Sequence, residues 1–397
     1  MKQRALAPVL RTLALAAMLV TTGLCAPVAF AEKYASIVID ADTHEVLHAR
    51  NADEPRYPAS LTKVMTLYML FDALEAGEVT LDERLMVSRF AASQAPSNLK
   101  LRPNSSITVS DAIGALVTKS ANDVAVVVAE RLGRTETRFA QLMTIKAQSL
   151  GLENTRFVNA SGLPDSRQVS TARDLAILAE AMFDNHGESY HYFSRPRFSW
   201  AGKTYKNHNE LLETVEGVDG IKTGYTRASG FNLMTSAERD GHRIIAIMLG
   251  GSTSKSRNAH VAALVEAAFH TYQIPDDPAD PGRNIETAFS AFGSSAPDPN
   301  AAAEPMLNGQ RLSVANAARA IKFKPQPAPG PALAPEAEDE EAEDAEEILV
   351  ADTGQRPDPE FEQGDATPTS FEGATVVIPA GRPAFTVSEY EARQFAQ

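Results

Sequence analysis

A serine hydroxyl is a weak nucleophile at neutral pH and becomes useful only beside a base. Ser60-Leu61-Thr62-Lys63 offers that pairing, because residues three apart on a helix share a face. Two further groups follow along the chain, Ser120-Ala121-Asn122 and Lys222-Thr223-Gly224. Singly they carry little weight. Ser-x-x-Lys recurs at Ser97…Lys100 and Ser252…Lys255, and Ser-x-Asn at Ser256…Asn258, although Lys-Thr-Gly occurs once. Their order and placement carry more: one at a helix start, one at a break between helices, one on a strand. A lysine that takes a proton from serine must be neutral part of the time. Burial and a nearby second cation both lower a lysine pKa.

The elements that must position these groups follow from apolar periodicity. Leu61 to Leu70 is a mostly apolar run that predicts a buried helix, with Pro58 as its start signal. Ser60 then sits at a helix N-terminus, where unpaired backbone N–H groups favour a developing negative charge. Upstream, Tyr34–Asp40 and Glu45–Ala49 read as a hairpin. Further helices are predicted from a Ser110-Asp111 cap through Thr118, over Asp123–Leu132, Thr135–Leu150, Thr171–Met182 and Ser256–Tyr272. Ser120 falls in the break between two of them, Asn122 borders the second, and Asp123 reads as a helix cap. Short strands are predicted at Arg197–Trp200 and Lys203–Lys206. Stronger ones follow at Val218–Thr223, Phe231–Glu238 and His242–Gly250, the last two joined by an Asp240-Gly241 turn. Strands at both ends with helices between them predict an α/β fold whose sheet unites the two termini of one domain.

Composition divides the 397-residue chain in three. Lys2, Arg4 and Arg11, the apolar stretch Thr12–Leu24 and Ala29-Phe30-Ala31 form the pattern of a cleavable export signal over 1–31. Cys25, the single cysteine, lies inside it. The expected mature chain therefore holds no disulfide, no cysteine nucleophile and no thiolate metal site, and neither a metal nor a cofactor is expected. The net charge of −14 belongs to residues 275–397, which hold 23 acidic and 8 basic residues against 28 and 29 before them. Nothing in 32–274 resembles a nucleic-acid surface. The tail from 275 to 397, with Pro325–Pro331 and the acidic block Glu336–Glu347, is too poor in apolar residues to order as a domain. Only Gln310–Phe323 and Ala374–Phe385 look able to order locally.

From Tyr34 to Tyr272 the chain resembles the D-alanyl-D-alanine carboxypeptidases, the low-molecular-mass penicillin-binding proteins. The likeness rests on Pro58–Lys63, Ser120–Ala125, Val218–Thr226 and Gly230–Leu233. It implies a β-lactamase/transpeptidase-like fold, an antiparallel sheet flanked by helices with an inserted helical lobe. It also implies an exported, periplasmic or cell-envelope enzyme that trims peptidoglycan stem peptides and is inhibited covalently by β-lactams. By this resemblance Ser60 is the nucleophile, Lys63 the general base, Lys222 the cation beside it and Ser120 a proton relay. Asn122 holds Lys63 or the substrate amide. The backbone N–H groups of Ser60 and Tyr225 form the oxyanion hole, and Gly224 lets the strand approach the substrate. Thr223 and Arg257 bind the terminal carboxylate. A DD-endopeptidase, a weak β-lactamase or a non-catalytic penicillin-binding scaffold are the alternatives. Many relatives carry a β-rich second domain and a C-terminal amphipathic membrane anchor. The acidic, Pro-rich tail here has no basic amphipathic helix, which puts membrane attachment in doubt.

Overall fold

The computed structural model describes residues 33–274, Ile285, Ala288 and Phe289, and the backbone of Met306–Leu307 and Gln310–Arg311. The export signal expected at 1–31 and nearly all of the tail expected at 275–397, Ala374–Phe385 included, lie outside the described residues. The chain opens with β1 (Ala35–Asp40) and β2 (Val46–Arg50), then a 3-10 turn (Ala59–Leu61) that runs into α1 (Thr62–Glu75). A helical lobe follows, built from β3 (Arg84–Met86), α2 (Arg89–Ala92), β4 (Ser106–Thr108), α3 (Val109–Val117), α4 (Asn122–Gly133) and α5 (Glu136–Ser149). α6 (Ala172–Tyr190) leads through a second 3-10 turn (His191–Ser194) to β5 (Arg197–Trp200), β6 (Lys203–Lys206) and α7 (Leu211–Thr214). The long strands β7 (Val218–Thr226), β8 (Gly230–Arg239) and β9 (His242–Gly251) precede α8 (Ser254–Thr271). Met306–Leu307 (β10) and Gln310–Arg311 (β11) pair antiparallel.

The sheet runs β2-β1-β9-β8-β7, antiparallel throughout. Its central strands are apolar on both faces, which the period of two explains. Ala35, Ile37, Ile39, Ile245, Ile247 and Leu249 point toward the cluster that includes α1 and α6. Tyr34, Val38, Ile244, Ala246 and Met248 point the other way, onto Val261, Leu264, Val265 and Ala268 of α8. The expectation that the first and last strands share one sheet holds: β1 lies directly beside β9. β7, the strand bearing Lys222, Thr223 and Gly224, is left at the edge.

α1 is apolar on nearly every side and is buried accordingly, with Val64, Met65, Leu67, Tyr68 and Phe71 inside. α3 begins one residue before the expected Ser110. Thr108 is its cap, accepting from the Asp111 N–H at 3.1 Å. α6 runs eight residues beyond the expected Met182, passing through a non-helical His186 (φ −132°, ψ 34°). Packing also continues past the boundary expected at Ile274. Phe289 is buried and stacks on His48, with ring centroids 5.3 Å apart. Among the described residues no helix is long and apolar enough to cross a membrane.

The break in α6 has a partner set on α1. The His186 ring sits against Tyr68 and Phe71, with Nδ1 2.7 Å from Glu75 Oε1 and Nε2 3.2 Å from Asp72 Oδ1. Lys146 of α5 reaches the same Asp72 at 2.8 Å. Burial opposes charge on the ring, yet the two carboxylates outweigh it and the His186 pKa is raised above 6.5. A raised folded-state pKa gives stability that is complete below the unfolded value and is lost as pH rises through the folded one. The Tm difference between wild type and His186→Gln should therefore be largest at or below about pH 6.5 and narrow on the alkaline side. A difference independent of pH in thermal melts would refute this ion pairing.

Candidate active site

The nucleophile turn is built by constraint. Ala59, immediately before Ser60, has φ of +50°, a left-handed backbone that costs a non-glycine residue roughly 1–3 kcal/mol. Neighbours hold it there. Asn232 of β8 donates from Nδ2 to the carbonyls of Tyr57 (3.0 Å) and Pro58 (3.3 Å), while its Oδ1 accepts from Gly250 N–H. Gly162 stands against the other side of the turn. A Cβ there would lie 1.9 Å from the Ala59 oxygen, so only glycine fits. Gly224 of β7 is seated less tightly, since its Cβ would come 3.0 Å from the Ser60 nitrogen and 3.2 Å from that of Leu61.

One turn along, Lys63 is fully buried, and its Nζ donates to Ser60 Oγ at 3.0 Å. It also donates to Asn122 Oδ1 at 2.7 Å and to the Ser161 carbonyl at 2.5 Å. Burial pushes its pKa well below the ordinary lysine value, and the nearby Lys222 ammonium pushes it further. Asn122 does not cap its helix. Its side chain bridges Lys63 to the carbonyls of Ala95 (2.9 Å) and Pro96 (3.0 Å), and Ala121 is the cap position. Ser120 has φ of +58°, and its buried Oγ has no hydrogen-bond partner among the described residues. It lines one cleft together with Ser60, Asn122, Thr223, Gly224 and Tyr225. Lys222 lies buried behind that wall, donating to the Thr223 carbonyl at 3.0 Å.

The three motifs, far apart in the chain, thus meet at one cleft. Arg257 is placed differently. It is fully buried on α8, donating to the Asn232 carbonyl (3.1 Å) and to Asn258 Oδ1 (2.9 Å), and it is not among the residues lining the cleft. Sequence reasoning also passed over several participants. The Ser161 carbonyl and Gly162 act through the backbone, and only the Asn159-Ala160-Ser161-Gly162 turn pattern could have drawn attention to them. His208 lines the cleft between Asn207 and Asn209. Those two asparagines fix the turn by donating to the Arg195 carbonyl (3.0 Å) and the Gly220 carbonyl (2.8 Å). Chemically the arrangement offers a hydroxyl beside an amine that can be neutral, a second cation, and an open strand edge.

A family model described as D-alanyl-D-alanine carboxypeptidase matches residues 18–253. A D-alanyl-D-alanine carboxypeptidase of Bacillus subtilis is 34% identical over 250 residues, 61% of this chain and 63% of that protein. The chain spans just under two thirds of the length of the first such relatives. Among solved structures, penicillin-binding protein 5 from Haemophilus influenzae is similar at 32% identity and a TM-score of 0.57, covering 59% of this chain and 70% of that one. Penicillin-binding protein D2 from Listeria monocytogenes, in an ampicillin-bound form, is similar at 33% identity and a TM-score of 0.53, covering 59% and 96%.

The loop that carries Ala95 and Pro96 to Asn122 depends on Asp123. This carboxylate is not a helix cap in the expected sense. It accepts from the backbone N–H groups of Leu99 (3.1 Å), Leu101 (3.0 Å) and Val124 (2.9 Å). Asp123→Ala would leave two buried loop N–H groups without an acceptor, at about 1–3 kcal/mol each. Urea unfolding should show a loss of at least about 2 kcal/mol, with faster amide exchange at Leu99 and Leu101. Unchanged exchange at those amides would contradict the assignment.

Proposed function

The chain belongs to the D-alanyl-D-alanine carboxypeptidase family, and from that premise we propose that it is a serine-type carboxypeptidase. It removes the terminal D-alanine from peptidoglycan stem pentapeptides. The observation that carries this reading is the 3.0 Å contact between Ser60 Oγ, at the cleft, and Nζ of the fully buried Lys63, which lies near Lys222. In the reaction, neutral Lys63 takes the Ser60 proton as Oγ bonds to the carbonyl carbon of the penultimate D-alanine. The carbonyl electron pair moves onto oxygen, which the N–H groups of Ser60 and Tyr225 receive. Collapse breaks the C–N bond. The departing amine takes a proton relayed from Lys63 through Ser120, and free D-alanine leaves. Water then attacks the ester and gives a proton to Lys63, which passes it to Ser60 Oγ as the ester C–O bond breaks.

The substrate lies extended along the open edge of β7, with Gly224 allowing close backbone approach. Its terminal carboxylate meets Thr223. Arg257 contributes its charge from behind β8 in this reading, with Asn232 between it and Gly224 in the sheet. β-Lactams acylate Ser60 as substrate does, an inference supported by the ampicillin-bound Listeria relative. The substrate class lies outside the cytoplasm, so the reading includes export to the periplasm or cell envelope, in keeping with the basic and apolar pattern of 1–31.

Fluorescent penicillin should label the wild type and leave Ser60→Ala unlabelled. Lys63→Arg holds a charge that cannot be given up, so its labelling should slow by about 10²- to 10⁴-fold. Because Lys63 must be neutral, wild-type acylation should fall as pH is lowered through its depressed pKa. D-Alanine should be released from a pentapeptide in preference to cleavage of a cross-linked dimer. An unlabelled wild type would remove every acyl-enzyme reading, and dimer cleavage without D-alanine release would make the chain an endopeptidase.

A further inference from the structure

Lys222 faces the α1 side of the sheet because β7 carries one residue more than its partner strand. Val218 stands opposite Ala237, and both pack toward α8. Side chains alternate along a strand, so unbroken pairing from there would set Lys222 opposite Leu233, which also faces α8. The ladder instead resumes with Gly220 opposite Ser236, passing over Asp219. That bulge turns Lys222 to stand opposite Met234, in the cluster that includes α1, the helix of Lys63.

We propose that Asp219 is a positioning residue: its carboxylate pins the bulge of β7, and through the bulge it aims Lys222 at the reacting pair of Ser60 and Lys63. The inference rests on the acyl-transfer reading of the site. Asp219 is held from two elements. Tyr190, the last residue of α6, donates its hydroxyl proton to Oδ1 at 3.1 Å. Arg243 of β9 donates from Nη1 to Oδ2 at 2.8 Å and to Ser236 Oγ at 2.8 Å. Arg243 is itself fixed, lying 4.4 Å over the centre of the Phe183 ring and paired with Glu238. The next residue is held as firmly. The Gly220 carbonyl accepts from Asn209 Nδ2 at 2.8 Å and from Thr235 Oγ1, and the Tyr190 hydroxyl fills the space that a Cβ on Gly220 would take.

Asp219, Tyr190 and Arg243 do not line the cleft, so whatever they do for the reaction passes through the strand. The charges that bear on Lys63 are the Lys222 ammonium of β7, which lowers its pKa, and the Asp123 and Glu136 carboxylates of α4 and α5, which raise it. Asp219 reaches Lys63 only by way of Lys222. When the bulge loosens, Lys222 loses its aim and the two carboxylates are less opposed. Lys63 then holds its proton to higher pH, and acylation, which needs the neutral amine, begins at higher pH.

The test is the pH profile of acylation by fluorescent penicillin in wild type, Asp219→Ala, Asp219→Asn, Tyr190→Phe and His186→Gln, with Tm measured for each. Asp219→Ala should carry the acid limb about 1 pH unit upward, so that acylation at a pH on that limb falls about tenfold. Asp219→Asn keeps an acceptor for Arg243 and should keep the wild-type profile. Tyr190→Phe removes one of the two donors and should move the limb part of the way. His186→Gln lowers stability away from the cleft and should leave the limb in place, which separates aim from general loosening. A limb that stays put in Asp219→Ala, or that moves as far in Asp219→Asn or His186→Gln, would overturn the inference and leave the acyl-transfer reading standing. Should Asp219→Ala not fold, an unmoved limb in Tyr190→Phe overturns it instead. No acylation of the wild type at any pH would overturn both.

Discussion

A lysine taken wholly out of water is the constraint on which the rest of this structure turns. An ammonium group so placed is costly unless it is well bonded or gives up its proton. Lys63 is provided for in both ways: three oxygens surround its nitrogen, and Lys222 behind the cleft makes the neutral form easier to reach. Each oxygen comes from a different stretch of chain, the nucleophile turn, the start of α4 and the loop before α6. Moving any one of these stretches would change the protonation balance of the base as well as its aim. The nucleophile turn, the lobe and the loop before α6 therefore converge on a single nitrogen atom.

The same demand explains the backbone around it. Ala59 and Ser120 both adopt left-handed conformations, and each lies next to a group that must face the cleft. Such conformations persist only where surroundings over-determine them. Asn232 from the sheet, Gly162 from the opposite loop and the tightly seated Gly224 do this for the nucleophile turn. Among the described residues the buried Ser120 hydroxyl has no hydrogen-bond partner, in keeping with the relay proposed for it.

Much of this was legible in the sequence, for physical reasons. The apolar runs of β1 and β9 and the mostly apolar run of α1 declared buried elements, and their order declared the α/β sheet. Ser60, Lys63, Ser120, Asn122 and Lys222 were legible because side-chain chemistry at fixed spacing is a local signal. What escaped was non-local or carried by the backbone. The Ser161 carbonyl, the steric role of Gly162 and the cleft position of His208 depend on which loops face one another. The likeness expects Arg257 at the terminal carboxylate, while its guanidinium donates to the Asn232 carbonyl, a contact that only the packing of α8 on the sheet reveals. The extension of α6 beyond Met182 was hidden by His186, whose partners lie more than a hundred residues earlier, on α1.

Leaving β7 at the end of the sheet has a further consequence. An unpaired strand edge invites other chains to add on and so carries a risk of aggregation. Here the first half of that edge is covered, with Tyr190 and Phe193 packed against Gly220. The second half lies at the bottom of a channel whose far bank is formed by Pro96, Ser97, Gly162 and Leu163. An extended peptide, one strand thick, can lie along that channel. The walls that shape the cleft therefore also act as a size filter, keeping an otherwise adhesive edge available to a single strand at a time.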